Sequence, residues 1–352
     1  MAEVGKYIYG IVTSKGPLRL SILHDSFGVQ CVYTISYQEL SAVVADSAIF
    51  DLTHQLKDTL ARLLVKHQMV IEKIMNSGLS IIPMRLGTFA ADENEIEKVL
   101  KHNGNYTLIN DILNKTRDKI EIDLAVTWNR LNLVIQESAE EKEIQELKRK
   151  LLVNPKGISV NDQIKVGVLL KKALEAKRER ASWEILEALK PYYDECRSHE
   201  LMDDRMVMNT AFLIQKAKQK DFFGKVHDLD SQFGERLNFR CVGPLPPYSF
   251  YTLEIKKMQF QEIDWARKKL GLTNISKKQD EIKDAYQKKA SLIHPDKNPG
   301  VIGMEKEFDE VVKAYKTLVA YSKACEQTEQ DADGSSKHNE FQKELLFIKV
   351  QE

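Results

Sequence analysis

Cysteine is sparse and scattered. Cys31, Cys196, Cys241 and Cys325 are the 4 in 352 residues, and no C-x-x-C pair brings two together. Zinc-ribbon and dithiol redox chemistry therefore lack their spacing, and the thiols read as buried or inert groups in a reducing cytosol. No apolar run approaches the roughly 18 residues that a membrane span requires. The opening "MAEVGKYIYG" has no basic stretch ahead of an apolar one, so no secretory signal is expected. Net charge is missing too, since 52 Lys and Arg balance 52 Asp and Glu. Without a global field, neither nucleic acid nor an anionic membrane is expected as a partner. Phosphate loops of the G-x-x-x-x-G-K type, the G-x-S-x-G elbow and H-E-x-x-H are absent. No catalytic residue, metal ligand or cofactor is expected. What remains, 43% hydrophobic and 30% charged residues, describes a globular cytoplasmic chain long enough for two or three domains.

Three regions follow from periodicity. In the first, "YIYGIV" (Tyr7–Val12), "CVYTI" (Cys31–Ile35) and "LSAVVAD" (Leu40–Asp46) are β-branched and aromatic runs that predict strands. Leu52, Leu56, Leu60, Leu63, Leu64, Ile71 and Ile74 then recur three or four apart. They predict an amphipathic helix capped by Asp51 and closed at Gly78. An extended "SIIPMRLGTF", an acid-led helix "DENEIEKVLKH" and an alternating strand at Glu121–Asn129 complete a first domain, residues 1–151. Residues 152–256 predict a second. A long helix stops at Pro191, Met206–Ile214 is a strand, "DFFGKVHDLDSQF" a helix, and "LNFRCVGPLPPYSF" a strand running into a proline-rich turn. The "KRER" run at Lys177–Arg180 predicts a solvated helix face. Both regions suggest α+β sandwiches with helices on one face of a mostly antiparallel sheet.

The third region, residues 257–325, is helical and contains "SLIHPDKNPG". His294 and Asp296 flank a proline, and residues so placed do not converge on one substrate atom. Upstream, "KKQDEIKDAYQKKASLI" places Ile282, Ala285, Tyr286 and Leu292 on one helix face and Lys277, Lys278, Lys283 and Lys288 around the rest, with Ser276 as cap. Pro295 ends that helix. Downstream, Phe308, Val311, Tyr315 and Leu318 predict its antiparallel partner. "LGL" (Leu270–Leu272), "EIKDAYQKKA" into "HPDKNPG", and "EFDEVVKAYKTL" together resemble a J-domain, in that family's order and spacing. Lys289 stands where the family usually has a core leucine, and Ile293 where an aromatic usually precedes the tripeptide. The resemblance implies an Hsp70 chaperone as partner, engaged by His294, Pro295 and Asp296, with Lys283 and Lys288 as electrostatic contacts. Residues 326–352 predict a flexible polar tail whose apolar end, Phe341 to Ile348, either docks back or binds a partner.

The body also carries a resemblance. "YIYGIV", "IIPMRLGTFA" (Ile81–Ala90), "VMNTAFLI" (Val207–Ile214) and above all "VGPLPPYSF" are similar to the GvpL/GvpF family of gas vesicle proteins, across nearly all of residues 6–252. That resemblance implies two α+β, partly ferredoxin-like domains, a location at the gas vesicle, and contact with the small hydrophobic shell protein and other gas vesicle proteins. Pro246, Pro247, Tyr248 and Phe250 could present a semi-rigid apolar ridge to such a partner, or could instead staple a domain edge. Arg85 could bind a client carboxylate, or pair within its own domain. The expectation is a non-catalytic assembly protein that binds shell subunits and recruits Hsp70. The alternative is a general J-domain co-chaperone for diverse clients.

Overall fold

The computed structural model describes residues 4–14, 16, 19–24, 28–50, 52, 55–153, 159–273, 278–294, 303–329 and 344–351. The chain divides into two compact units: Met1–Lys115 with Tyr251–Glu352, and Thr116–Phe250.

The first unit is built around β1 (Val4–Thr13). Tyr7, Ile8, Tyr9, Ile11 and Val12 are all at most 2% exposed, as suits a central strand covered on both faces. β2 (Arg19–His24), β3 (Gly28–Tyr37) and β4 (Leu40–Ala48) lie on one side of it; β5 (Ile81–Pro83) and β6 (Phe89–Ala90) pair on the other. All these pairings are antiparallel. β2 was not among the strands legible in the sequence. Helix α1 (Lys57–Asn76) starts later than its leucine spacing predicts, with Leu56 rather than an aspartate before it; Asp51 lies outside the described residues. Its buried positions are His67, Val70, Ile71 and Ile74. The same stripe runs on into Leu56 and Leu64, which stay 76% and 55% exposed. Gly78 follows the helix at φ +89°, as a C-terminal glycine should. α2 (Glu93–Lys101) is capped by the Asp92 carboxylate, which accepts the Glu95 amide at 2.8 Å, and α3 (Asn103–Thr116) follows it.

The chain returns to this unit through β11 (Thr252–Gln259), which pairs antiparallel with β12 (Glu344–Gln351) near the end of the sequence. Leu253 and Ile348, both 0% exposed, enter the same core as Ile8, Val44 and Leu100. Full burial of such side chains contributes roughly 1.5–3 kcal/mol each. Of the two roles left open for the apolar end, the structure has it docked. Between these strands lie α8 (Phe260–Leu270), α9 (Gln279–Ile293) and α10 (Met304–Glu329). α10 runs into the first residues of the expected flexible tail, and residues 330–343 lie outside the described set.

The second unit holds β7 (Lys119–Trp128), α4 (Leu131–Ala139), α5 (Lys142–Leu152), α6 (Val160–Leu189), β8 (Glu195–Ser198), β9 (Met206–Gln215), α7 (Gln219–Phe233) and β10 (Leu237–Leu245). Its antiparallel sheet has the order β10-β7-β9-β8. Ser159 and Asp162 form a reciprocal capping box at the start of α6. Ile120, Ile122, Leu124 and Val126 of β7 are buried, as are Ile185, Leu189, Phe212 and Phe222 in the same unit. β7 therefore belongs to the second sheet, although its place in the sequence puts it in the first domain. The residues from Tyr251 onward, expected to close the second domain, belong to the first unit. Alternation identifies a strand but not its sheet, because β7 finds both partners, β9 and β10, far along the chain.

Of the thiols, Cys31 and Cys196 are exposed, whereas Cys241 is half-buried and burial pushes its thiol up to about 11. No helix among the described residues is long and apolar enough to cross a membrane.

Candidate functional site

The helical module has a core of its own. Met258, Ile263, Ala266, Leu270, Ile282, Ile293, Val311, Ala314 and Leu318 pack together, with Tyr286 and Tyr315 stacked at 4.4 Å between ring centres. α8 turns toward α9 at Gly271, whose φ of +74° is strained for any side chain. Arg267 ties that turn down by donating to the Leu272 and Thr273 carbonyls at 2.8 Å each. The Lys269–Glu310 pair at 2.6 Å links α8 to α10.

α9 ends where the proline rule requires. His294 takes φ −58° and ψ 129°, the extended conformation expected before Pro295. Its half-buried ring meets the edge of Phe308 on α10 at 5.3 Å, so the histidine is oriented by the second helix of the hairpin. Pro295 and Asp296 lie outside the described residues, as do Ser276 and Lys277 at the start of α9; Lys278 precedes its first turn. Lys283 and Lys288 are both exposed. Leu292, placed on the core face by its spacing from Ile282, is instead 71% exposed, and Ile293 is buried in its stead. At 100° per residue, ten positions from Ile282 is about 80° off the core direction and eleven is about 20° off. Lys289 is half-buried.

The residues proposed for shell contact fare differently. Arg85 pairs with Glu254 at 3.0 Å, while its own amide donates to the Leu253 carbonyl at 2.7 Å. Its guanidinium is thus neutralised within the first unit. Pro246, Pro247 and Phe250 are buried and Tyr248 is half-buried, so they present no apolar ridge. The Arg197 guanidinium lies over the Phe250 ring at 5.4 Å. The turn folds back on itself through Tyr248 N–H to Pro246 O and Phe250 N–H to Pro247 O.

Next to that turn is a polar cluster that spacing did not reveal. Glu121, 1% exposed on β7, accepts both the amide and the hydroxyl of Ser249 at 2.8 Å. The Ser249 hydroxyl lies 3.1 Å from His199 Nε2, and Arg197 donates to the Ser249 carbonyl at 2.9 Å. Burial raises the Glu121 and Asp123 carboxyls, which sit two apart on one face of β7. Glu121 contacts the serine rather than the histidine, and through it holds the 246–250 turn. The only sequence signal was the pair of acidic residues, Glu121 and Asp123, on the polar phase of an alternating strand. A second missed residue is Asn105, 3% exposed, which bonds both Val99 O and Ile348 N–H.

Comparison with known proteins bears on both parts of the chain. A family model described as gas vesicle synthesis protein GvpL/GvpF matches residues 5–252, and a DnaJ domain model matches residues 268–325. Gas vesicle protein F of Dolichospermum flosaquae is 27% identical over 195 residues, 55% of this chain and 78% of that one. Its counterpart from Nostoc sp. is 24% identical over 250 residues, 70% of this chain and 97% of that one. Chaperone protein DnaJ of Protochlamydia amoebophila is 56% identical over 39 residues, 11% of this chain and 10% of that one. The crystal structure of the gas vesicle protein GvpF from Anabaena sp. matches with a TM-score of 0.60 at 25% identity, covering 70% of this chain and 97% of that one. The chain belongs to the GvpL/GvpF family of gas vesicle proteins and carries a DnaJ domain behind its family region.

Proposed function

We propose that this protein is a gas vesicle assembly factor that binds shell subunits through its GvpL/GvpF body and recruits an Hsp70 through its DnaJ domain. The observation that carries the reading is the union of the two matched regions in one chain. A helical hairpin supports the second half: it orients His294 against Phe308 and leaves Lys283 and Lys288 exposed. His294, with Pro295 and Asp296 after it, engages the chaperone. The two lysines meet an acidic surface, where complementary charge acts mainly on the association rate.

A hydrophobic shell subunit aggregates unless it is held before assembly. A DnaJ domain tethered to the protein that holds it raises the local Hsp70 concentration at that client. Among the body residues, Arg85 and Tyr248 keep exposed or half-exposed side chains; Pro246, Pro247 and Phe250 serve the site only by shaping the turn. The protein acts at the gas vesicle and in the surrounding cytoplasm, as a binding protein without catalysis of its own.

The test is steady-state ATP turnover by Hsp70 with the full-length chain and with His294→Gln. Stimulation by the wild type, lost in the variant, is the expected result. Turnover changed equally little by both would reduce the module to a docking domain.

A further inference from the structure

Two strands flank the DnaJ match. β11 begins where the GvpL/GvpF match ends, and β12 follows the DnaJ match. They pair in unbroken antiparallel register from Thr252↔Gln351 to Gln259↔Glu344. The helical module is therefore an insertion between the two partners of one ribbon, tied at both ends.

The first unit grips this ribbon from both sides. On the β11 side, Met84 forms a parallel bridge to Leu253, the Arg85 amide donates to the Leu253 carbonyl at 2.7 Å, and Glu254 accepts the Arg85 guanidinium. Lys257 pairs with Glu95 on α2. On the β12 side, Asn105 Oδ1 accepts the Ile348 N–H at 3.1 Å, while Asn105 Nδ2 is fixed by Val99 O at 2.9 Å. Ile348 itself fills the unit's core. At the far end of β11, Met258 packs in the core of the helical module. One strand thus has its first residues in one core and its last in another.

We propose that the first unit carries a strand-acceptor site, formed by β11, Asn105 and the core around Leu253. Its ligand is an extended segment with alternating apolar residues, here the chain's own residues 344–351. Asn105 reads a backbone N–H, so it selects for extended peptide and not for a side chain. The apolar position filled by Ile348 supplies the register, because a one-residue slip would turn that side chain out of the core. With the segment bound, the strands that precede and follow the helical module are paired in one ribbon, which anchors the module to the first unit. Without it, β11 keeps only its contacts at Leu253, Glu254 and Lys257, and the module hangs from a strand without its ladder partner. The inference does not depend on what the module recruits.

Hydrogen exchange on the full-length chain tests this directly. In Ile348→Asp, amides of 252–259 should exchange about tenfold faster or more, as expected when a ladder opens locally. Those of 279–293 and 304–318 should stay protected. Asn105→Ala should give a smaller acceleration confined to the same ribbon, which guards against the harsher variant failing to fold. Lys349→Gln, at an exposed position of β12, should change nothing. Adding a synthetic peptide of residues 344–352 to Ile348→Asp should restore slow exchange at 252–259. Unchanged exchange at 252–259 would overturn the proposal, as would protection lost together in α9 and α10, or a peptide without effect.

Discussion

His67 and Glu121 are both buried ionisable groups, and burial drives them in opposite directions. His67 Nδ1 lies 2.8 Å from the Tyr7 hydroxyl, and burial lowers its pKa from 6.5 to about 4. Above pH 6.5 the imidazole is neutral folded or unfolded, and its full contribution to stability is present. As pH falls toward 4 the unfolded chain takes the proton first, so stability is lost across that window. At 1.36 kcal/mol per pKa unit the loss is roughly 3 kcal/mol. Urea midpoints measured at steps from pH 7 to 4 should fall accordingly, and His67→Gln should flatten that part of the profile. Glu121 behaves in reverse. Its raised pKa gives stability that is complete below the ordinary carboxylate range and is lost as pH rises toward the folded value. Glu121→Gln keeps an acceptor for Ser249 without the charge. Above pH 8 the variant should melt no lower than wild type; a clear drop there would mean that the ionised carboxylate is what holds the turn.

The elements teach which kinds of sequence signal survive folding. Period and punctuation were legible: the alternation of β7, the stop of α6 before Pro191, and the end of α9 before Pro295 all appear where spacing places them. Phase was less so. Leu292 and Ile293 are neighbours of similar hydrophobicity, and counting 100° per residue from Ile282 selects Ile293, the one that is buried against α10. Sheet membership was not legible for β7, and β11 was missed because its lysines mask the alternation that its partner supplies. Gly271 is a local device that punctuation does reveal. Its φ is +74° and nothing stands within 4 Å of where a Cβ would sit, so Gly271→Ala adds strain without a clash. It should cost about 1 kcal/mol, read as faster exchange in 279–293 while the body is unaffected.

Across the whole molecule, family membership was carried by short motifs, while the site residues inside them divided sharply. His294 stands at the end of a helix in a hairpin with its own core. "VGPLPPYSF", the most specific piece of the body, ends in a turn held around Glu121 and Arg197, with Pro246, Pro247 and Phe250 buried. A motif can be specific because its residues must pack, and nothing in the letters separates that cause from contact with a partner. The body's contact surface is therefore not given by its signature. The fold assigns the signature a structural task, and the C-terminal strand the task of mounting the helical module.

The most direct measurement is retention of Hsp70 on immobilised gas vesicle shell protein, with ATP present and the full-length chain added. The account predicts that Hsp70 is retained only when the chain is added, that His294→Gln abolishes the retention, and that an unrelated hydrophobic protein on the same support does not substitute for the shell subunit. Retention that is equal without the chain, or equal on the unrelated protein, would contradict it.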